Sequence, residues 1–97
     1  MPTYVSLLNW TEQGVRTVKD LPQRIADFRQ MAQGKGATLR EVFVTMGQYD
    51  IVSILEAPSD EVAAQLMLAM AGRGNARTTT LKASTEAEIP SLLQGLP

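Results

Sequence analysis

The run from Tyr49 to Ala57, Y-D-I-V-S-I-L-E-A, constrains the fold more than any other part of this chain. In an extended strand, successive side chains point to opposite faces. Ile51 and Leu55 therefore share one face, and Val52 and Ile54 share the other. The run from Thr3 to Asn9 repeats the pattern, with Val5 and Leu7 opposed to Tyr4 and Leu8. An antiparallel sheet with one wet face shows a clean alternation of apolar and polar residues. Apolar residues on both faces predict a sheet that is covered twice.

The remaining elements follow from spacing and punctuation. Thr11 is placed to cap a short turn through Glu12, Gln13, Gly14 and Val15. Asp20 and Pro22 mark the start of a helix whose apolar stripe is Leu21, Ile25, Phe28 and Ala32. Gly34 and Gly36 mark its end. Thr38 to Met46 is the second strand, with Val42, Val44 and Met46 on one face and Leu39 and Phe43 on the other. Gly47-Gln48 is a compact turn signal, so this strand and Tyr49–Ala57 read as a β-hairpin.

After Pro58, Ser59 caps a helix with Asp60 and Glu61 in its first turn and Val62, Leu66, Ala69, Met70 and Arg73 at helical spacing. Gly72 and Gly74 mark its end, and the threonine-rich run Arg77–Ser84 is the fourth strand. Thr85 and Glu88 have the spacing of a capping box for a last short helix, although Pro90 limits how that helix can run. The order is β–α–β–β–α–β plus a helical tail. The expected fold is therefore one α+β, ferredoxin-like domain over residues 1–97, with a four-stranded antiparallel sheet.

In that arrangement the helices cover one face of the sheet. The other face needs a second cover, either the sheet of another subunit or the C-terminal segment with Leu92, Leu93 and Leu96. The first choice predicts a homo-oligomer, with subunits associating in the manner of a dimeric α/β-barrel. A chain of 97 residues buries only roughly 60–65% of its unfolded surface, so association would also add to its stability.

Composition narrows the chemistry. The chain has no cysteine and no histidine. Disulfides, thiolate nucleophiles, histidine-dependent triads and Cys/His zinc sites are thereby excluded. Any general acid or base must be Asp, Glu, Lys or Tyr, and a metal would require oxygen ligands. No dense carboxylate cluster points to a metal, and no cofactor is expected. Nine basic residues balance ten acidic ones without a basic stripe, so nucleic acid is not an expected partner. No apolar run has the length of a membrane span, and the chain starts without the pattern of a secretory leader, so the expected location is the cytoplasm.

Three motifs carry a family likeness: the opening Y-V-S-L-L-N-W-T-E-Q-G, the central M-G-Q-Y-D-I-V-S-I-L-E-A-P-S-D and the later G-N-A-R-T-T-T-L-K-A. In this order and spacing they resemble the GYD-domain family of small bacterial proteins, over almost the whole chain. The family's name motif corresponds here to Gly47-Gln48-Tyr49-Asp50. A more distant similarity, to dimeric α/β-barrel modules, includes the amino-acid-sensing domains of leucine-responsive regulators. It implies ligand binding at subunit interfaces. The chain lacks the helix-turn-helix of those regulators, so a role in transcription is not implied.

The candidate site residues are Trp10, Arg24, Tyr49, Asp50 and Arg77, with Gly47 as part of the motif. Tyr49 and Asp50 are a donor and an acceptor for a ligand, or else parts of a turn in which Gly47 takes a special backbone angle. Trp10 is a stacking platform or a core anchor. Arg16 and Arg24 are anion ligands or solvated surface residues. Arg77 is a ligand contact or an ion-pair partner for Asp50. The run Gly72-Arg73-Gly74-Asn75 lacks the lysine and hydroxyl residue of a P-loop and reads as a helix end, and Met67 and Met70 read as core.

Three functions are compatible with these residues. The first is a non-enzymatic module that binds a small molecule or a partner at a subunit interface. The second is a metal-independent enzyme of the dimeric-barrel monooxygenase or isomerase kind, which requires a pocket with Asp50 in its wall. The third is a self-assembling structural protein.

Overall fold

The computed structural model describes residues 1–97. Strand β1 (Thr3–Trp10) is followed by helices α1 (Glu12–Arg16) and α2 (Leu21–Gly34), strands β2 (Thr38–Val44) and β3 (Ile51–Glu56), helix α3 (Asp60–Gly72) and strand β4 (Ala76–Ala83), and helix α4 (Ile89–Gln94) is the last element. Short 3-10 turns precede α2 and α4. The strands form one antiparallel sheet in the order β2-β3-β1-β4. This is the βαββαβ, ferredoxin-like arrangement expected from the sequence. No helix is long and apolar enough to cross a membrane.

The caps that start the helices behave as the sequence predicts, with one exception. Thr11 Oγ1 accepts from Gly14 N at 3.1 Å, and Ser59 Oγ accepts from Val62 N at 3.2 Å. Thr85 and Glu88 form a capping box, and Pro90 falls in the first turn of α4, where its missing N–H costs little. Asp20 stands at the start of α2 but makes no capping bond, because it closes the preceding 3-10 turn instead.

Three details differ from the sequence reading. A bulge between Leu39 and Glu41 adds one residue to β2. It brings Leu39 onto the same face as Val42 and leaves Phe43 alone on the other, because Leu39, Val42 and Val44 pair with Leu55, Ser53 and Ile51. The loop after β2 also spans residues 45–50 rather than a tight turn, since Thr45 N donates to Asp50 O and Asp50 N donates to Leu8 O. Finally, α3 buries Ala63, Leu66 and Met67, while Ala69 and Arg73 are exposed. Its inner face is thus turned by about one residue from the expected stripe.

The core lies between the sheet and helices α2 and α3. Tyr4, Leu39, Leu55, Ala32, Ala63 and Leu66 form its centre, and Leu8, Ile51 and Ala76 form a smaller group near Trp10. Tyr4 carries a polar handle that the sequence reading missed. Its hydroxyl donates to Asp60 Oδ1, and Asp60 also pairs with Lys82 Nζ at 3.0 Å. Burial first, and then the bond to the Asp60 carboxylate, push the Tyr4 phenol up to about 12. The Tyr4 and Lys82 bonds hold the Asp60 carboxyl below its usual range.

A raised phenol pKa favours the folded state below the unfolded value near 10 and loses that contribution as pH rises toward 12. In a spectrophotometric titration, a phenolate step near pH 12 is expected in the native protein. The same step should be missing from Tyr4→Phe, and the melting temperature of the native protein should fall more steeply over this interval than that of the variant.

Candidate functional site

The three sequence motifs meet at the end of β1. Trp10 N donates to Asp50 Oδ2 at 2.9 Å, which ties the G-Q-Y-D loop to the first strand. Asn9 Nδ2 donates to Gln48 O at 2.7 Å, and Thr45 Oγ1 donates to Tyr49 O at 2.6 Å. Gly47 takes φ +111°, a conformation that side-chain-bearing residues rarely adopt, and so permits the turn.

On the other side of β1, Thr11 N donates to Asn75 O and Thr11 Oγ1 donates to Gly74 O. Gln13 Nε2 donates to Arg73 O and Asn75 Oδ1. Gly14 is buried against the same loop, and a Cβ there would lie 1.8 Å from Asn75 O. Only glycine lets α1 approach the 72–75 segment this closely. The glycine that shortens the helix is thus what docks it.

Beside this junction, between the sheet and helices α2 and α3, lies a cavity of about 260 Å³. It follows from side-chain size. Tyr4 and Leu55 are cross-strand neighbours, as are Leu8 and Ile51, but the pair between them is Ser6 and Ser53. Two small side chains under the middle of the roof leave a hollow flanked by large ones. Leu21, Ile25 and Phe28, the expected stripe of α2, line this hollow and are only half-buried for that reason. Ser6 Oγ donates to Met67 Sδ and is bonded to Thr80 Oγ1 at 3.0 Å.

The five candidate residues are dispersed. Trp10 and Arg24 line the cavity. The Arg24 guanidinium donates to Gly14 O, Thr17 O and Thr17 Oγ1, and so satisfies carbonyls at the end of α1. Asp50 accepts the backbone N–H of Trp10 and does not line the cavity. Tyr49 sits in the loop before β3. Arg77 pairs in register with Asn9, next to Trp10 along β1, and therefore points to the opposite face of the sheet. No ion pair joins Arg77 to Asp50. Arg16 pairs with Glu12 on the surface of α1.

That opposite face carries no helix. Phe43, Val52 and Leu7 lie in one row across the strands, and Ile54, Val5 and Leu81 lie in the next. Phe43 and Leu81 are 49% and 48% exposed, so a continuous apolar surface spans all four strands. The C-terminal segment does not fold back over it. Leu92, Leu93 and Leu96 are exposed as well, at 55–68%.

The GYD-domain model matches residues 4–93, a span that includes all three motifs and the junction they build. The chain belongs to the GYD family. This GYD domain is 32% identical over 95 residues to the glutamine synthetase and cystathionine beta-lyase binding protein of Thermus thermophilus. The alignment covers 97% of this chain and all of that protein.

In Asp50→Ala the Trp10 amide loses an anionic acceptor. A loss of about 2 kcal/mol of stability is expected, since hydrogen bonds to charged groups contribute about 1.5–3 kcal/mol. Thermal denaturation measures the loss. The emission of Trp10, the single tryptophan, should shift toward the red as its packing loosens. Asp50→Asn, which keeps an oxygen acceptor, should lose less.

Proposed function

We propose that this GYD domain is a non-enzymatic interaction module that self-associates through its open sheet face and holds enzymes as protein partners. The observation that carries this reading is the bare apolar surface of Val5, Leu7, Phe43, Val52, Ile54 and Leu81. Contiguous apolar patches of this kind on small proteins mark contact sites. The face is a twisted sheet, and two such faces pack about 10 Å apart with their side chains interleaved. A second copy is therefore the occupant that best matches its shape, and a symmetric pair would place like surfaces together. Few charges interrupt the two apolar rows, and Glu41 and Arg77 lie at their borders.

With the sheet face covered in this way, the exposed leucines of the C-terminal helix remain available to other proteins. The relative that aligns along nearly the whole chain is named for binding glutamine synthetase and cystathionine beta-lyase. Binding of these enzymes, or of others like them, is the partner class we propose here. A binding role also accords with the engagement of Asp50, whose carboxylate is taken up by the Trp10 amide rather than presented to a substrate.

Purified chain mixed with glutamine synthetase or cystathionine beta-lyase is expected to co-sediment with at least one of them. Leu92→Ser combined with Leu96→Ser should weaken that complex while leaving the protein's own mass in solution unchanged. Absence of a complex with both enzymes would contradict the reading.

A further inference from the structure

We propose that the hollow beneath helices α2 and α3 binds a small amphipathic carboxylate. This site lies on the side of the sheet opposite the proposed self-association face, and its failure would leave that reading standing.

Protein interiors are close-packed, and voids larger than a water molecule are few. A hollow of about 260 Å³ that opens to solvent on one side is well beyond that scale and is accessible to a ligand. An apolar cavity of about 150 Å³ already accepts benzene, so this one has room for a body of roughly ten non-hydrogen atoms. Its walls are mostly apolar, with Leu8, Ile25, Phe28 and Ile51 above and around the serine pair. A hydrocarbon body is therefore the part of the ligand that these walls favour.

The polar groups gather at one end. Trp10 lines the hollow, and its indole N–H is buried without a partner. A buried donor without an acceptor costs about 1–3 kcal/mol, and this one, closed to water as it stands, reaches a ligand acceptor through a turn of the indole toward the hollow. Ala76 is the cross-strand neighbour of Trp10, and the preceding residues Asn75 and Arg73 also line the hollow. Arg73 belongs to none of the three ion pairs. Its guanidinium is a fork suited to a carboxylate.

The other charged lining groups direct the anion to this same end. Arg24 has its donors engaged by Gly14 and Thr17, and Asp27, which accepts from Gln23, repels an anion from its part of the rim. The carboxylate thus lies against Arg73 at the end of the hollow that Trp10 lines, and the apolar body extends over Ser6 and Ser53.

Trp10 is the only tryptophan, so its fluorescence reports on the site directly. Titration with octanoate should change Trp10 emission saturably and raise the melting temperature. Octanol, with the same chain and no charge, should bind about tenfold more weakly, in line with the strength of a charge-assisted bond. Ser53→Leu fills the hollow and should abolish the response to both, with the circular dichroism spectrum retained. Arg73→Gln, an exposed substitution that leaves the core intact, should weaken octanoate about tenfold and leave octanol unchanged. No saturable response to octanoate, an unchanged response in a folded Ser53→Leu protein, or equal binding of octanoate and octanol would overturn the proposal.

Discussion

The hydrogen bond from the Trp10 amide to the Asp50 carboxylate is the constraint around which the rest of the molecule is arranged. It joins the end of β1 to the start of β3 and fixes the loop between β2 and β3 on the central strand. From the same few residues of β1, Thr11 and Gly14 dock against the segment that leads into β4. Three segments far apart in the chain thus depend on one another for their geometry. The junction also holds the Trp10 ring at one end of the cavity. A change at Asp50 would therefore be felt at the ligand-sized space without Asp50 lining it.

The two faces of the sheet divide the functional possibilities. One face is roofed by helices but underfilled, because two serines occupy the middle of its floor. The other is well filled with apolar side chains but has no roof. The first is suited to a small molecule and the second to another protein surface. The C-terminal helix adds exposed leucines outside both. The proposed contact role rests on these surfaces and on the name of a relative that aligns along nearly the whole chain.

Much of the fold was legible because local signals agreed with one another. Thr11, Ser59 and the Thr85–Glu88 pair stand where the helices begin, and the split faces of Tyr4/Leu8 against Val5/Leu7 match the observed sides of β1. The bulge at Arg40 was not legible, since an extra residue leaves no mark on an alternating pattern until the pairing partner is known. The inner face of α3 was misread for a related reason: its run of alanines and methionines is apolar nearly all round, and packing alone chooses the side. Of the candidate site residues, Trp10 and Arg24 meet at the cavity, whereas Arg77 is sent to the far face by strand alternation. The cavity itself escaped the sequence reading. A serine within a strand gives no sign of its neighbour, and Ser6 and Ser53 become a pair only through the β1–β3 register. The Tyr4–Asp60 bond was hidden likewise, as its partners are separated by more than half the chain.

The central claim of this account is that the open sheet face is covered in solution by a second copy of the chain. Sedimentation velocity of the native protein beside Leu7→Arg, which places a charge in the middle of that face, tests it most directly. The account predicts an oligomer for the native chain and a folded monomer for the variant. A native chain that sediments as a monomer, or a variant that keeps the native mass, would contradict it.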